Sequence, residues 1–196
     1  MLIHAAYNAD TLTVYQAYHA RIAQPAVAQQ RLALPHFKAD RMTWIKPSFL
    51  WMMYRSGWAS KENQEHILAI TLKRAGLNWA LQHASLSHFD ATAHATEAAW
   101  KEALHAAPVR VQWVPDRDLL LQPLPRRAIQ IGLSGSAVEL FLHDWIVALQ
   151  DVTPLAQQIH HLIEAGHLSQ AQQLLPLETA YPSEEQPALR LERWPA

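Results

Sequence analysis

The sequence predicts an α+β fold, with a small mixed or antiparallel sheet flanked by helices in a single domain. Three observations predict it. Four or five short segments alternate with the period of two that a half-buried strand needs, while five or six others recur at helical spacing. The strands do not alternate regularly with long crossover helices, which disfavours a doubly wound parallel sheet. The chain has 196 residues, 50% hydrophobic and 17% charged, enough to bury one full core.

Taken in order, Thr11 to Tyr18 (TLTVYQAY) reads as a strand with Leu12, Val14 and Gln16 on one side. Residues 22–34, rich in Ala and Gln, read as a helix that Pro35 ends, because proline disfavours α conformation in the residue before it. Residues 41–46 (RMTWIK) form a short strand. Pro47 then suits a first helical turn, where its missing N–H is not needed, and residues 48–56 continue to Gly57, a left-handed C-cap. Residues 67–72 (ILAITL) alternate again, and Gly76 opens a short helix through Trp79 and Leu81. Ser87 and Asp90 have capping-box spacing for a helix over 87–106. Residues 109–113 and 127–133 are strands joined by the connection PDRDLLLQPLP. Ser136 with Glu139 starts a capped helix, AVELFLHDWIVAL, and another spans 154–164. These elements make one domain over residues 1–170. Residues 171–196, with Pro176, Pro182, Pro187, Pro195 and several acids, are expected as an extension packed on the surface.

Composition narrows the function. Net charge is −1, so no whole-protein field draws the chain to nucleic acid or acidic membranes, and any basic role is local. The absence of cysteine removes disulfides, thiolate nucleophiles and zinc–cysteine sites together. No secretory signal and no run near the roughly 20 apolar residues of a spanning helix is visible, so the expected location is cytoplasmic, away from membranes. Neither GxGxxG, GxxxxGK[ST], GxSxG nor HExxH occurs. The twelve histidines show no ligand spacing, and no metal is expected.

Residues 41–58 (RMTWIKPSFLWMMYRSGW) are the densest candidate. They hold Arg41, Lys46 and Arg55 with no acid, and Trp44, Trp51 and Trp58. A strand running into Pro47-Ser48 and a helix aims unsatisfied N–H groups at whatever lies above the strand, and such ends bind anions. Ser48 either caps that helix or donates to a phosphate oxygen. Phe49, Leu50, Trp51 and Met52 are assigned to the core, with Arg55 reaching water. In Gln112 to Asp118 (QWVPDRD), Asp116 either opens a turn or places a carboxylate at a sheet edge beside Arg117 and Asp118. Gln130 alternates with Ile129 and Ile131 and faces away from them. Gln16 and Tyr18 offer an amide and a phenol from the first strand, with packing the ordinary role of at least one of its tyrosines.

Four of these stretches together carry a likeness. VYQAY, RMTWIKPSFLWMMYRSGWASKENQE, VQWVPDRD and RRAIQIGL resemble the domain of unknown function 4291 family, over roughly residues 1–165. Two positions depart from its pattern, which commonly has an acid where Val114 stands and a serine where Ala128 stands; Asp116 or Asp118 would then substitute for the acid. The arrangement is also loosely similar to ADP-ribosyltransferase-like folds, which hold NAD across a split sheet, though no strand glutamate follows Gln130. The resemblance implies an enzyme, best read as a transferase moving ADP-ribose from NAD, with nucleic acid as one acceptor. In that reading Arg41 and Lys46 bind phosphates, Trp44 and Tyr18 flank a ring, and Ser48, Arg55, Gln16 and Arg117 complete the ligand contacts. Tyr18, Asp118 and Gln130 are the catalytic candidates. The alternatives are a non-catalytic RNA or single-strand binder, in which Trp and Tyr stack bases, and a protein-interaction module with a Trp-rich surface. Convergence of Arg41, Lys46, Arg55 and Gln130 on one pocket discriminates among them.

Overall fold

Alternation in a few long strands sets the frame of the computed structural model, which describes residues 2–182 apart from Leu34, His36 and Thr92. Strand β2 (Thr11–Tyr18) pairs antiparallel along its whole length with β4 (His66–Lys73), Thr11 opposite Lys73 and Tyr18 opposite His66. The far edge of β4 takes β8 (Ile146–Asp151), completing a three-stranded antiparallel sheet. A second sheet is built on the long hairpin of β6 (Val109–Arg117) and β7 (Pro123–Leu133). Strand β3 (Thr43–Ile45) pairs antiparallel with β7, and β5 (Ala84–Leu86) lies parallel to β6, so this four-stranded sheet is mixed. A two-stranded ribbon joins β1 (His4–Ala5) to β9 (Thr179–Ala180).

Seven helices accompany the strands among the described residues: α1 (Ala20–Gln29), α2 (Phe49–Ser56), α3 (Arg74–Gln82), α4 (Glu97–Ala106), α5 (Ser136–Leu140), α6 (Thr153–Glu164) and α7 (Leu168–Gln173). The fold is α+β, with mixed and antiparallel sheets flanked by helices. None of these helices is long and apolar enough to cross a membrane. The main core gathers Leu12 and Val14, Leu68 and Ile70, Val111, Ile129 and Ile131, and the rings of Phe141 and Trp145. On the opposite side of β2 and β4, Tyr15 and Ile67 meet Phe49, Met52 and Met53 of α2 and Ala156 and Ile159 of α6. Those two faces need apolar residues from both parities of β2. The run Val14-Tyr15-Gln16 is accordingly buried without a break.

Several local expectations give way to tertiary demands. The helix foreseen over 22–34 ends at Gln29, because Gln30 adopts φ 54°, ψ 35° and its side chain bonds both the N–H and the C=O of Leu149 on the edge strand β8. The helix foreseen from Ser87 starts only at Glu97. Ser87 instead donates its N–H to Val111 O at 2.9 Å, and Thr96 Oγ1 is the cap, accepting from Ala99 N at 3.1 Å. The segment IVAL, foreseen as the end of a helix, is the start of β8; after α5 the chain makes a π-helical turn (Phe141–Trp145) and then pairs with β4, which would otherwise leave an open edge. Most of PDRDLLLQPLP is strand rather than connection, the turn being confined to 118–122.

The surface extension expected from residue 171 is corrected through 182. Ala171 is buried, β9 pairs with β1, and Tyr181 is only 1% exposed. The Tyr181 hydroxyl accepts from Arg74 Nε at 3.2 Å, and its ring meets Tyr7 edge-on at 5.2 Å. Apolar burial and strand pairing hold this segment despite its prolines. The remainder of the expected extension, 183–196, lies outside the described residues.

Gly76 marks a close approach inside this core. A Cβ there would lie 2.4 Å from Cγ of the Trp145 indole. Gly76→Ala is therefore expected to lower stability by about 1–3 kcal/mol through overpacking, read as a drop in the urea midpoint. An unchanged midpoint would show that Trp145 moves aside freely.

Candidate functional site at the split between two sheets

The two larger sheets meet at one backbone pair among the described residues. Tyr15 N–H donates to Lys46 O at 2.7 Å and Lys46 N–H to Tyr15 O at 3.2 Å, an antiparallel bridge between β2 and the end of β3. Continued in register, Tyr18 would pair with Thr43. The strands part instead, and side chains fill the gap. Gln16 Nε2 donates to Thr43 Oγ1 at 2.5 Å and to Trp44 O at 3.2 Å, while the Tyr18 hydroxyl donates to Gln16 Oε1 at 2.5 Å. Burial pushes the Tyr18 phenol well above its ordinary range, so it remains a neutral donor.

Beyond that filled gap opens a cleft of 430 Å3. Tyr18, Phe37 and Thr43 line it together with Arg21, Lys38 and Arg41, and among the described residues no carboxylate does. Phe37 meets Tyr18 edge-on, with ring centroids 6.3 Å apart. None of the three cations makes an ion pair among the described residues. His19 holds the near rim by capping α1, its Nδ1 accepting from Arg21 N at 3.1 Å. Of the residues read from the sequence, Arg41 and Tyr18 come together here, with Gln16 behind them.

Trp44, Lys46 and Gln130 lie on the outer face of the four-stranded sheet. Trp44 stands opposite Gly132, where an added Cβ would be 2.9 Å from the indole, so the glycine lets the ring lie close on β7. Gln130 donates to Gln112 Oε1 across the β6–β7 ladder at 2.5 Å. Next along the face, Val114 and Ala128 are cross-strand partners and pack against Trp51. The two departures from the family pattern thus form one apolar contact. Lys46 is buried and donates to Trp44 O at 2.9 Å. Burial, with the Arg55 charge added, lowers its amine to about 7. Arg55 itself is exposed at the end of α2. Lys46, Arg55 and Gln130 do not line the Arg41 cleft.

Ser48, Arg117 and Asp118 belong to a third neighbourhood. Ser48 Oγ caps α2, accepting from Trp51 N at 3.2 Å, and donates to Asp116 Oδ1 at 2.8 Å. Asp116 is 1% exposed and also takes Arg126 Nε at 2.8 Å, so it is a buried ion-pair partner. Asp118 Oδ1 accepts from Leu120 N and Gln122 N, which makes its carboxylate the clasp of the hairpin turn. Arg117 does not pair with Asp118; its guanidinium lies 3.7 Å over the Tyr54 ring. The expected catalytic set of Tyr18, Asp118 and Gln130 is not assembled. Tyr18 is on the inner side of the split, Gln130 is on the outer face of the sheet, and Asp118 is in the turn.

Sequence reading missed Arg21, Lys38 and Phe37 in the cleft. It also missed Glu178, whose Oε1 accepts the first N–H of α2, from Phe49, at 2.7 Å. His19 and Arg21, just past the strand VYQAY, gave a usable signal. Glu178 gave none, since nothing local ties it to residue 49.

The buried amine makes a pH prediction. Lys46 has a folded value near 7, below its ordinary 10.5. The unfolded chain therefore holds more protons between those values, and stability rises with pH across that window. Lys46→Met is expected to be more stable than wild type at pH 7, with the gap closing as pH climbs to 10. Urea midpoints across that range check it, and a pH-independent gap would show Lys46 charged in the fold.

No curated protein and no solved structure matches the chain closely enough to establish a relative. The model of the domain of unknown function (DUF4291) matches residues 2–181, through Tyr181 and beyond the stretch that the motifs alone cover. The chain belongs to the DUF4291 family.

Proposed function

We propose that the protein binds a nucleotide-like polyanion in the cleft where β2 and β3 part, and that NAD is the ligand, as donor in an ADP-ribosyltransferase-like transfer. One observation carries the reading: Arg21, Lys38 and Arg41 share a 430 Å3 cleft with Tyr18 and Phe37 and, among the described residues, with no lining acid. Uncompensated guanidinium and ammonium groups suit phosphate oxygens, Arg in two-pronged fashion. The aromatic rings supply a flat wall for a base or nicotinamide. The volume lies inside the ~300–1,000 Å3 usual for small-molecule sites. Support for NAD over a mononucleotide comes from the split between sheets, the arrangement that the similarity to ADP-ribosyltransferase-like folds implies.

Within this reading Arg41 and Arg21 grip the pyrophosphate and Tyr18 orients the ring beside it. Tyr18 is the member of the expected catalytic set that borders the ligand. Single-stranded nucleic acid is the acceptor class to try first, and the cleft is too short to track a strand by itself.

Calorimetry with NAD, ADP-ribose and ATP tests the binding step. Arg41→Ala is expected to weaken binding about tenfold or more, the loss of a charge-assisted contact. Failure of all three ligands to bind, or unchanged binding in Arg41→Ala, sinks the proposal. Nicotinamide release from NAD, followed by NMR, tests the transfer step. If instead an oligonucleotide binds with a steep salt dependence while NAD does not, the nucleic-acid reading replaces this one.

A further inference from the structure

A second cleft, of 570 Å3, shares no lining residue with the first. Leu50, Leu119, Leu124 and Leu175 give it an apolar wall, and its ionisable lining residues are Arg117, Asp118, Arg126 and Glu178. Glu178 is tied by one oxygen to Phe49 N–H. Burial, with Asp116 repelling it, raises its carboxyl to about 8, so at neutral pH it keeps a proton to donate. Arg126 spends Nε on Asp116, and its side chain is 51% exposed, which leaves the outer edge of the guanidinium to the cleft. The Nε of Arg117 is buried and without a hydrogen-bond partner.

We propose that this cleft binds a medium-chain carboxylate, its head between Glu178 and Arg126 and its alkyl chain along Leu50, Leu119, Leu124 and Leu175. A neutral acid beside guanidinium groups fits a carboxylate, which accepts the O–H and meets the positive charge. An alkylamine would face two arginines, and the Asp118 carboxylate that also lines the cleft already accepts through Oδ1 from the Leu120 and Gln122 N–H groups. An alkanol would leave the guanidinium edges unused. A phosphate ester brings a second charge that the Asp116-paired Arg126 does not balance.

Calorimetry at pH 6.5 with octanoate and decanoate below their micellar concentrations, against decanol and decylamine, tests the assignment. One decanoate per chain is expected, tightening about three- to fourfold per added methylene. Arg126→Met should weaken it about tenfold or more. Leu124→Asp should abolish it with the circular dichroism spectrum unchanged, which covers the case in which loss of Arg126 perturbs the buried Asp116. Glu178→Gln, which retains a donor, should bind better than Glu178→Ala. Arg41→Ala should leave decanoate binding intact, separating this site from the nucleotide cleft. No carboxylate binding, decanol binding as well as decanoate, or several molecules per chain insensitive to Leu124→Asp would overturn the proposal.

Discussion

The backbone pair between Tyr15 and Lys46 is the constraint on which the rest of the molecule depends. Its two hydrogen bonds join a three-stranded and a four-stranded sheet that share no other strand pairing among the described residues. Pro47 follows at once and the chain turns into α2 at Ser48, so the contact stays a single bridge. The pair also fixes side chains on both faces. Tyr15 turns toward α2, meeting Phe49 edge-on at 5.4 Å, and Phe49 in turn meets Trp58 at 6.5 Å. Lys46, two residues past Trp44 on the same face, is nonetheless buried, and its amine donates to a backbone carbonyl, that of Trp44. A buried cation without a carboxylate is expensive, and the amine responds by giving up its proton readily.

The helix that follows shows how the chain handles its own anion site. The α2 N-terminus has the donors and dipole that favour negative charge. Ser48 supplies one acceptor, and Asp116 stands behind Ser48. The N–H of Phe49 goes to Glu178, which arrives from the far end of the chain. The physics read from Pro47-Ser48 therefore holds, but a side chain of the protein itself meets that donor. This is why the open cationic surface of the segment lies upstream, at Arg41, and not at the helix end.

Much of the frame was legible because local and global preferences agree there. TLTVYQAY, ILAITL and RAIQIGL alternate and are strands; Ser48 and Gly57 punctuate α2 with a side-chain cap and a left-handed residue, φ 59°, ψ 48°. What was not legible depends on partners distant in sequence. IVAL becomes strand because β4 offers an edge, whatever its helical spacing. Residues 171–182 hold their place through Tyr181, Tyr7 and Arg74, and proline count says nothing of such a contact. The buried ion pair of Asp116 and Arg126 needs the β6–β7 hairpin to bring the two sides together, while turn propensity at Pro115-Asp116 pointed elsewhere.

The separation of Arg41 from Lys46 has a simpler origin. Grouping Arg41, Lys46 and Arg55 as one anion-binding set rested on composition: three cations and no acid within eighteen residues. A strand imposes a period of two, and position 41 shares parity with Thr43 and Ile45, whereas position 46 shares it with Trp44. Thr43 and Ile45 face the buried side, and Trp44 faces out over Gly132. Alternation thus sets Lys46 on the face of Trp44, while Arg41, in the bend before β3, lines the cleft with Tyr18 and Thr43. The first cleft takes its other cations from the connection between β2 and β3, Arg21 from α1 and Lys38 from the segment leading into β3, and not from the motif itself.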